Sequence, residues 1–356
     1  MSEPGGIITG RVVRELAAES GFAAAGVTGV GTPLDFDRFR GWGERGLAGE
    51  MRYLTDHRAE IRGRPSELLP GARSIICVGM QYNGPEAYST EFSDAELGWI
   101  ARYAWGEDYH STVRAQLEVL AGRLLEIEKF RWRACVDTAP LLERSLARAA
   151  GLGWIGKNTC LISQKLGSWL YLGELLTTLE IPDDAPAPDR CGSCTRCIDA
   201  CPTAAIVPGP EGGFELDSRL CISYFTIELR GSIPTDARAA VGNNVFGCDI
   251  CQDVCPWNRR SPRVAGVDSE GFVAPPLERF ADLDEASFRR MFRGTAVARA
   301  KYRGFLRNVA VAMGNSGLAK FRGPLERMAG SGDAVVAEHA RWALGRISGG
   351  GGHASR

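Results

Sequence analysis

The pattern of apolar and polar residues predicts that helices and strands alternate in the first half of the chain. Apolar residues recur at helical spacing from Ile8 to Ser20, and a second, longer helix is expected from about Asp108 to Lys129. The runs FAAAGVTGV, RSIICVGMQY and RACVD have the length and apolar character of strands, and the second is expected to be an interior strand. Residues 1–180 are therefore predicted to form an α/β domain.

Two further stretches of this half carry specific expectations. RACVD runs into TAPLLERSLARAAG, where Thr138 is the expected N-cap of a helix and Pro140 is expected in its first turn. The stretches KNTCLIS and SWLYLGELLTTLEI predict two strands that pair with each other through a turn at residues 165–167.

The second half divides into three predicted parts. A Pro- and Asp-rich linker, IPDDAPAPDR, leads into a cysteine-rich domain assigned to residues 181–265. The pattern of residues 283–348 predicts helices broken at glycines. Two stretches, FLRNVAVAMGN and ARWALGRI, share an alanine-rich helix with a glycine near its end, a similarity typical of stacked helical repeats. The glycine-rich residues 349–356 are expected to be disordered. The chain shows no signal peptide and no apolar run of membrane-spanning length, so we expect no membrane partner.

Seven cysteines in two runs dominate the candidate chemistry. CGSCTRCIDACP has the spacing C-x₂-C-x₂-C-x₃-C-P, by which bacterial ferredoxins hold [4Fe–4S] clusters, and CDICQDVCP is a shorter second run. In this pattern the fourth cysteine ligates the neighbouring cluster, and a lone cysteine between the runs can complete the set. The expected ligands are Cys191, Cys194, Cys197 and Cys255 for one cluster, and Cys201, Cys221, Cys248 and Cys251 for the other.

Zinc and disulfides are the alternatives for these cysteines. Zinc fits C-x₂-C pairs, but it does not explain a third cysteine two residues on or the proline after each run. Disulfides are typical of secreted chains. The remaining Cys77, Cys135 and Cys160 lie in apolar stretches and are interpreted as buried, reduced thiols, which suits a reducing cytoplasm.

Charge is distributed unevenly along the chain. The formal net charge is −1, which by itself indicates no polyanionic partner. Residues 286–325, however, contain no Asp or Glu and hold nine Lys or Arg interleaved with five Phe or Tyr. We expect the basic residues to meet a nucleic-acid backbone and the aromatic residues to lie in a helical core; a solvated helical face is the alternative for the basic residues.

Asp137 is the most interesting carboxylate outside the cysteine runs. It ends a predicted strand just before a helix, where open α/β sheets place their sites, and apolar neighbours could keep it protonated as a proton donor. A helix cap is the alternative. GLGWIGKNT, residues 151–159, could let a flat cofactor approach closely, or could simply be a tight connection. Arg144 could bind an anion, and Tyr109 and His110 offer polar groups within WGEDYH.

Six stretches together resemble the epoxyqueuosine reductases, the cobalamin- and iron–sulfur-dependent enzymes of tRNA queuosine synthesis. They are WGEDYH, VDTAPLLERS, GLGWIGKNT, CGSCTRCIDACPTAAI, CISYFT and FGCDICQDVCPWN, and the resemblance covers nearly the whole chain. It implies an N-terminal α/β domain that binds cobalamin, a ferredoxin-like domain with two [4Fe–4S] clusters, and a C-terminal HEAT-like helical module. It also implies a reaction in which an epoxide at the wobble base of a tRNA is reduced to an alkene.

The same resemblance implies roles for individual residues. The general acid is Asp137, and no histidine ligand to cobalt is expected because the D-x-H-x-x-G motif is absent. The implied cobalamin contacts are Asp137, Arg144, Tyr109, Lys157, Asn158 and Ser223. The implied tRNA contacts are Arg289, Arg293, Lys301, Arg303 and Arg307.

The expected partners are a tRNA carrying epoxyqueuosine and a reduced electron-donor protein or small reductant, with the chain itself a cytoplasmic monomer. The alternative functions are a corrinoid iron–sulfur enzyme similar to the reductive dehalogenases, and a two-cluster electron carrier. The expected absence of an export signal and the acid-free basic segment argue against a dehalogenase-like enzyme. A function as an electron carrier would not explain the presence of the α/β domain.

Overall fold

The computed structural model of the chain describes residues 8–264 and 271–349, so the expected disordered tail at residues 349–356 lies almost wholly outside the described residues. The described helices are α1 (Gly10–Glu19), α2 (Phe36–Glu44), α3 (Arg58–Ile61), α4 (Tyr109–Ile127), α5 (Glu143–Ala149), α6 (Arg196–Asp199), α7 (Arg238–Val241), α8 (Ile250–Asp253), α9 (Glu285–Met291), α10 (Lys301–Ser316), α11 (Arg322–Ala329) and α12 (Ala334–Gly349). The strands are β1 (Ala24–Gly29), β2 (Ser74–Gln81), β3 (Trp99–Ile100), β4 (Trp132–Cys135), β5 (Trp154–Ile155), β6 (Leu161–Ile162), β7 (Leu170–Thr177), β8 (Ile206–Pro208), β9 (Phe214–Leu216) and β10 (Asn244–Phe246).

A four-stranded sheet in the order β1-β2-β7-β4 forms the centre of the N-terminal half. The prediction that β2 is an interior strand is confirmed, since it pairs with β1 on one side and β7 on the other. All three pairings in the sheet are antiparallel. The rule that sites lie at the carboxyl ends of parallel strands therefore does not apply to Asp137, although this residue does follow a strand.

Helices cover both faces of this sheet. Because side chains alternate along a strand, Ile76 and Val78 of β2 lie in one core with α1 and α4, whereas Cys77 lies in a second core with α5. The predicted first helix and long helix are confirmed. Thr9 accepts a hydrogen bond as the N-cap of α1, and Asp108 does the same for α4.

Two local expectations are wrong. Thr138 does not cap a helix and Pro140 is not in a first turn, because α5 begins only at Glu143, after an irregular turn. The two predicted partner strands also find other partners, since β6 pairs with β5 and β7 pairs with β2 and β4. A bridge between Ser163 and Gly167 is what remains of the expected pairing.

The cysteine-rich segment is built from short elements. α6 lies within the first cysteine run, α8 lies within the second, and β8 and β9 form a hairpin between the runs. β10 pairs in parallel with β3 of the N-terminal half. Asp249 strengthens this junction, because its carboxylate accepts hydrogen bonds from the Trp99 indole N–H at 3.0 Å and the Arg102 backbone N–H at 2.7 Å.

The C-terminal helices α9 to α12 pack around an aromatic core. The expected interior position of the aromatic residues is confirmed for Phe288, Phe292, Phe305 and Phe321, which are all buried. The same core includes Trp99 of β3 and residues of β10, so it is continuous with the other two parts of the chain. A separate HEAT-like module at residues 283–348, like the other domain limits, stays a prediction. No helix in the described ranges has both the length and the apolar character of a bilayer span.

Arg307 of α10 has no exposed surface. Its guanidinium donates to the backbone carbonyls of Phe225, Leu229 and Gly231. Burial, with the nearby charge of Arg230, lowers the pKa of Arg307 to about 10, so the side chain stays charged at neutral pH. The expectation that Arg307 contacts tRNA is wrong, because this side chain is used to hold the segment that follows the lone cysteine of the cluster region.

Arg307→Ala is expected to lower the free energy of unfolding substantially. Each buried carbonyl left without a donor costs about 1–3 kcal/mol. Urea denaturation measures the loss. Arg303→Ala is the matched control on the same helix: Arg303 is exposed and paired with Asp333, so its removal should cost no more than about 1 kcal/mol. Equally small losses in both variants would contradict the structural role of Arg307.

Candidate active site

The turn after β4 places Asp137 in an uncommon backbone conformation. Its φ is 46°, in the left-handed region that few residues other than glycine adopt. Its backbone N–H donates to the carboxylate of Glu143, the first residue of α5. The N-terminus of α5 receives no side-chain cap, so the alternative role of Asp137 as a helix cap is not realised.

The side chain of Asp137 belongs to a row of charged groups. The Nε2 of His110 lies 3.0 Å from its Oδ2, and the Nδ1 of the same ring lies 2.6 Å from Oδ1 of Asp108, the N-cap of α4. A guanidinium nitrogen of Arg299 lies 3.6 Å from the same oxygen of Asp137. The Asp137 side chain is 39 % exposed, so this row of charges reaches the surface, where it can meet a ligand.

The pKa shifts of Asp137 and His110 favour a charged pair, an Asp137 carboxylate beside a protonated His110. Burial raises the pKa of Asp137, but the hydrogen bond and charge of His110 and the charge of Arg299 outweigh it and lower the pKa overall. The hydrogen bond to Asp137 raises the pKa of His110 against the opposing effect of burial. The expectation that apolar neighbours keep Asp137 protonated is therefore wrong, since its neighbours here are charged.

Arg299 joins three parts of the chain at this point. It precedes α10, its Nε lies 2.8 Å from the Glu228 carboxylate, and it donates to the Tyr53 hydroxyl at 3.0 Å. Glu228 ends a π-helical turn, Tyr224–Glu228, that begins three residues after Cys221. Sequence reasoning did not single out Arg299, because nothing but its place in the acid-free segment distinguishes it from its neighbours.

A second pair of carboxyl groups lies beneath the Asp137 turn. Glu174 of β7 has no exposed surface, and neither of its carboxylate oxygens meets a hydrogen-bond donor in the described chain. Its neighbour is Glu143. Burial and the charge of Asp137 raise the pKa of Glu143 to about 7, and burial with the charge of Glu143 raises the pKa of Glu174 well above its usual range. A proton on one of the two carboxyls would supply the missing donor, and both pKa shifts favour a proton shared by the pair.

The cysteine runs lie beside this region. An open cavity of about 280 Å³ is lined by all four cysteines expected to share one cluster: Cys191, Cys194, Cys197 and Cys255. In the other set, Cys248 lies near Cys221 and Cys201, and Cys251 lies near Cys248 and Cys221. Thiols grouped in this way fit two cubane clusters with crossed ligands, although the individual assignments stay predictions.

The glycine-rich segment at residues 151–159 connects the N-terminal half to both cysteine runs. Lys157 Nζ donates to the carbonyls of Gly192 at 2.8 Å and Cys194 at 2.9 Å. The Asn158 side chain donates to the Cys251 carbonyl at 3.3 Å. Lys157 and Asn158 were expected to contact cobalamin. In the structure their side chains instead form hydrogen bonds with backbone carbonyls of the two cysteine runs.

The glycines of this segment are explained by the packing of the chain itself. A Cβ at Gly153 would lie 2.2 Å from the Ile162 carbonyl oxygen, and one at Gly156 would lie 2.4 Å from the Ile162 side chain. The tight-connection interpretation therefore accounts for both positions. Arg144 of α5 closes the segment by donating to the Thr159 carbonyl at 2.5 Å.

Comparison with known proteins gives matches along most of the chain. Residues 62–138 match the family model described as epoxyqueuosine reductase QueG, DUF1730, and residues 190–258 match that of a 4Fe-4S double cluster binding domain. The epoxyqueuosine reductase of Xanthomonas campestris is 44% identical over 93% of this chain and 94% of its own length, and that of Escherichia coli K12 is 38% identical over 85% and 80%. The chain belongs to the epoxyqueuosine reductase family.

Solved structures of epoxyqueuosine reductases show the same fold. The structure from Streptococcus thermophilus superposes with a TM-score of 0.84 and 30% identity, covering 95% of this chain and 90% of its own. A crystal structure of an epoxyqueuosine reductase with an epoxyqueuosine-modified tRNA-Tyr stem loop has a TM-score of 0.85 at 29% identity, covering 95% and 89%. The chain is therefore an oxidoreductase, and the iron–sulfur interpretation of the cysteine-rich segment is confirmed over zinc and disulfides.

The remaining residues expected to contact cobalamin are Tyr109 and Ser223. The Tyr109 ring stacks on Tyr171, with centroids 4.6 Å apart, and on His110 at 4.2 Å. Ser223 is partly buried and directly precedes the π-helical turn. Tyr109 and Ser223 thus come from the α/β part and the cluster part of the chain.

The basic segment is less uniform in space than along the sequence. Arg289 pairs with Glu285 and Arg303 with Asp333, each at 2.5 Å, so acids just outside the segment neutralise part of it. Arg293 and Lys301 are exposed, and neither forms an ion pair within residues 8–264 and 271–349. Arg293 and Lys301 are therefore the members of the predicted set that are best placed to meet phosphates.

The pair of the partly buried Glu143 and the buried Glu174 predicts a pH dependence of stability. The pKa of Glu143 is about 7 in the folded chain against 4.5 when unperturbed, so the folded state binds the proton more tightly. The resulting stabilisation is fully present below about pH 4.5 and is lost as the pH rises through about 7. Glu174→Gln removes one ionisation and should flatten this loss, as measured by chemical denaturation from pH 5 to pH 8. An unchanged pH dependence in Glu174→Gln, matching that of the exposed control Glu118→Gln, would contradict the shared proton.

Proposed function

We propose that the chain reduces epoxyqueuosine to queuosine at the wobble position of tRNA, using cobalamin and two [4Fe–4S] clusters. In the net reaction the epoxide takes up two electrons and two protons, both carbon–oxygen bonds of the ring break, and an alkene and water are formed. The observation that carries the proposal is the meeting of Asp137, His110 and Arg299 with the turn that leads from Cys221, in a chain of this family.

The cobalamin site is proposed to lie between the Asp137 turn and the π-helical turn. The exposed face of Asp137, the Tyr109 ring and Ser223 are the residues proposed to hold the cofactor. Arg144, Lys157 and Asn158 already donate to backbone carbonyls, so their proposed part is to fix the wall of the site. The chemistry that cobalamin supplies when bound is nucleophilic attack by reduced cobalt on an epoxide carbon.

Proton delivery is assigned to Asp137 together with His110. As the epoxide C–O bond opens, the oxygen becomes basic and needs a proton. The Asp137 side chain is the more exposed of the two. His110 lies between two carboxylates and carries the proton before the reaction. We assign the general-acid step to Asp137: its carboxylate takes the proton from His110 Nε2 and then donates that proton to the oxygen, which leaves His110 neutral. This relay differs from a carboxyl group that is kept protonated by burial alone.

Electron delivery is assigned to the two clusters in sequence. Each [4Fe–4S] cluster passes one electron at a time, so two transfers complete a turnover. The cluster that includes Cys221 is proposed to be the one next to the reacting centre, because the π-helical turn leads from Cys221 to Glu228 and Arg299.

The two alternatives are less well supported. Electron transfer alone does not require the row of charged groups formed by Asp108, His110 and Asp137, nor Arg299 beside it. A function like that of the reductive dehalogenases is not favoured by membership in the epoxyqueuosine reductase family.

Asp137→Asn is expected to lower turnover by about 10²–10⁴-fold, because the amide cannot pass on a proton. Iron content and retained cobalamin should be unchanged, which separates a loss of chemistry from a loss of cofactor. Asp37→Asn, at an aspartate whose side chain is 91% exposed on α2, is the control and should keep full activity. Full turnover in Asp137→Asn would remove the general-acid assignment.

Cys221→Ala is expected to cost one cluster. The iron content should fall from about eight to about four atoms per chain, measured on protein purified without oxygen. Cys160→Ala is the matched control, since Cys160 lies near both cysteine sets but is not an expected ligand. Iron that stays at the wild-type value in Cys221→Ala would exclude this cysteine as a ligand.

Charge reversal at Arg293 and Lys301 is expected to weaken tRNA binding. Each phosphate contact that is lost should reduce the slope of log affinity against log salt by about 1. Binding of the tRNA measured at several salt concentrations tests this, with Arg11→Glu on α1 as an exposed control. An unchanged affinity and slope would place the RNA site on another surface.

A further inference from the structure

One cluster cavity opens to a positively charged surface. Cys194 is the exposed cysteine of its set, whereas Cys201, Cys221, Cys248 and Cys251 of the other set are all partly buried. Three exposed arginines line the cavity: Arg190, Arg196 and Arg260. We call these three residues the entry face.

The charge of the entry face is available to a partner. None of its three arginines forms an ion pair with a carboxylate in the described part of the chain. Two acids lie close to these arginines in the sequence and offset part of their charge: Asp189, which accepts from the Cys191 backbone N–H at 2.7 Å, and Asp199, which accepts from the Thr195 hydroxyl at 2.7 Å. The three arginines outnumber them. Lys157 points inward to the cluster loop and is not part of this surface. The local charge is therefore positive on a chain whose net charge is −1.

We propose that an acidic one-electron carrier protein docks on the entry face and reduces the cluster behind it. The inference rests on the proposed function and names the partner that function needs. In each encounter the carrier is oxidised by one electron and the cluster is reduced by one, with no bond made or broken. The electron then passes to the Cys221 cluster, which lies on the side of the π-helical turn and Asp137.

The arrangement of the arginines around the opening favours a protein over a small reductant. A small reductant needs only an exposed cluster edge, and an anionic one gains some rate but no orientation from the arginines. A protein with an acidic surface around its own redox centre gains both rate and orientation from the entry face, because complementary charge raises association rates by about 10–10³-fold at low salt.

The test measures cluster reduction directly, without tRNA or cobalamin. Stopped-flow absorbance follows reduction of the two-cluster protein by a reduced flavodoxin of negative net charge, and separately by dithionite. The variant Arg190→Glu, Arg196→Glu, Arg260→Glu is compared with a control that reverses exposed arginines elsewhere, Arg11→Glu, Arg40→Glu and Arg73→Glu. Iron content and the cluster midpoint potentials are measured for each protein.

The proposal predicts that the flavodoxin rate of the wild type falls steeply with salt and that the entry-face variant is slower by at least about tenfold at low salt. The control variant should match the wild type, and dithionite, a small dianion, should lose far less rate than flavodoxin in the entry-face variant. Equal flavodoxin rates would overturn the proposal. So would equal slowing with both reductants and shifted midpoint potentials, since the arginines would then act by balancing cluster charge. Failure of docking would leave dithionite-driven turnover of tRNA intact, so it is distinguishable from failure of the proposed function.

Discussion

Three consecutive residues, Lys157, Asn158 and Thr159, connect the cysteine-rich segment to the helix that begins beside the Asp137 turn. Lys157 donates to carbonyls of the first cysteine run, Asn158 donates to the second, and Thr159 accepts from Arg144 of α5. The loops that carry the two cysteine runs contain little regular secondary structure. Hydrogen bonds such as these therefore fix the position of those loops. Because a cluster must stay close to the site it reduces, the remaining features of the chain depend on this connection.

The same helix positions the Asp137 turn. Glu143, at the start of α5, accepts the Asp137 backbone N–H and so helps to hold its left-handed conformation, and a proton shared with Glu174 would keep the two neighbouring carboxyls compatible. Arg299 reaches the turn from the segment before α10. In the proposed mechanism electron delivery and proton delivery meet at Asp137, so a shift in α5 would disturb both.

Local patterns in the sequence predicted what depends on local geometry. The cysteine spacing, the interior strand β2 and the two long helices follow from short-range rules and were correct. The start of α5 was misplaced, because the contact between Glu143 and the Asp137 backbone takes the place of an N-cap at Thr138. Arg293 and Arg307 looked alike in the basic segment, yet only tertiary packing decides that Arg307 is buried against backbone carbonyls. Arg299 and Glu174 carried no local signal, since their partners lie far away in the chain.

The central claim is that eight thiolates hold two iron–sulfur clusters that feed a cobalamin site at Asp137. Metal analysis and visible absorption of protein isolated without oxygen, before and after gel filtration with added cobalamin, test it most directly. The account predicts brown protein with about eight irons per chain that retains cobalamin through the column. Colourless or zinc-containing protein, or cobalamin that elutes separately from the chain, would contradict it.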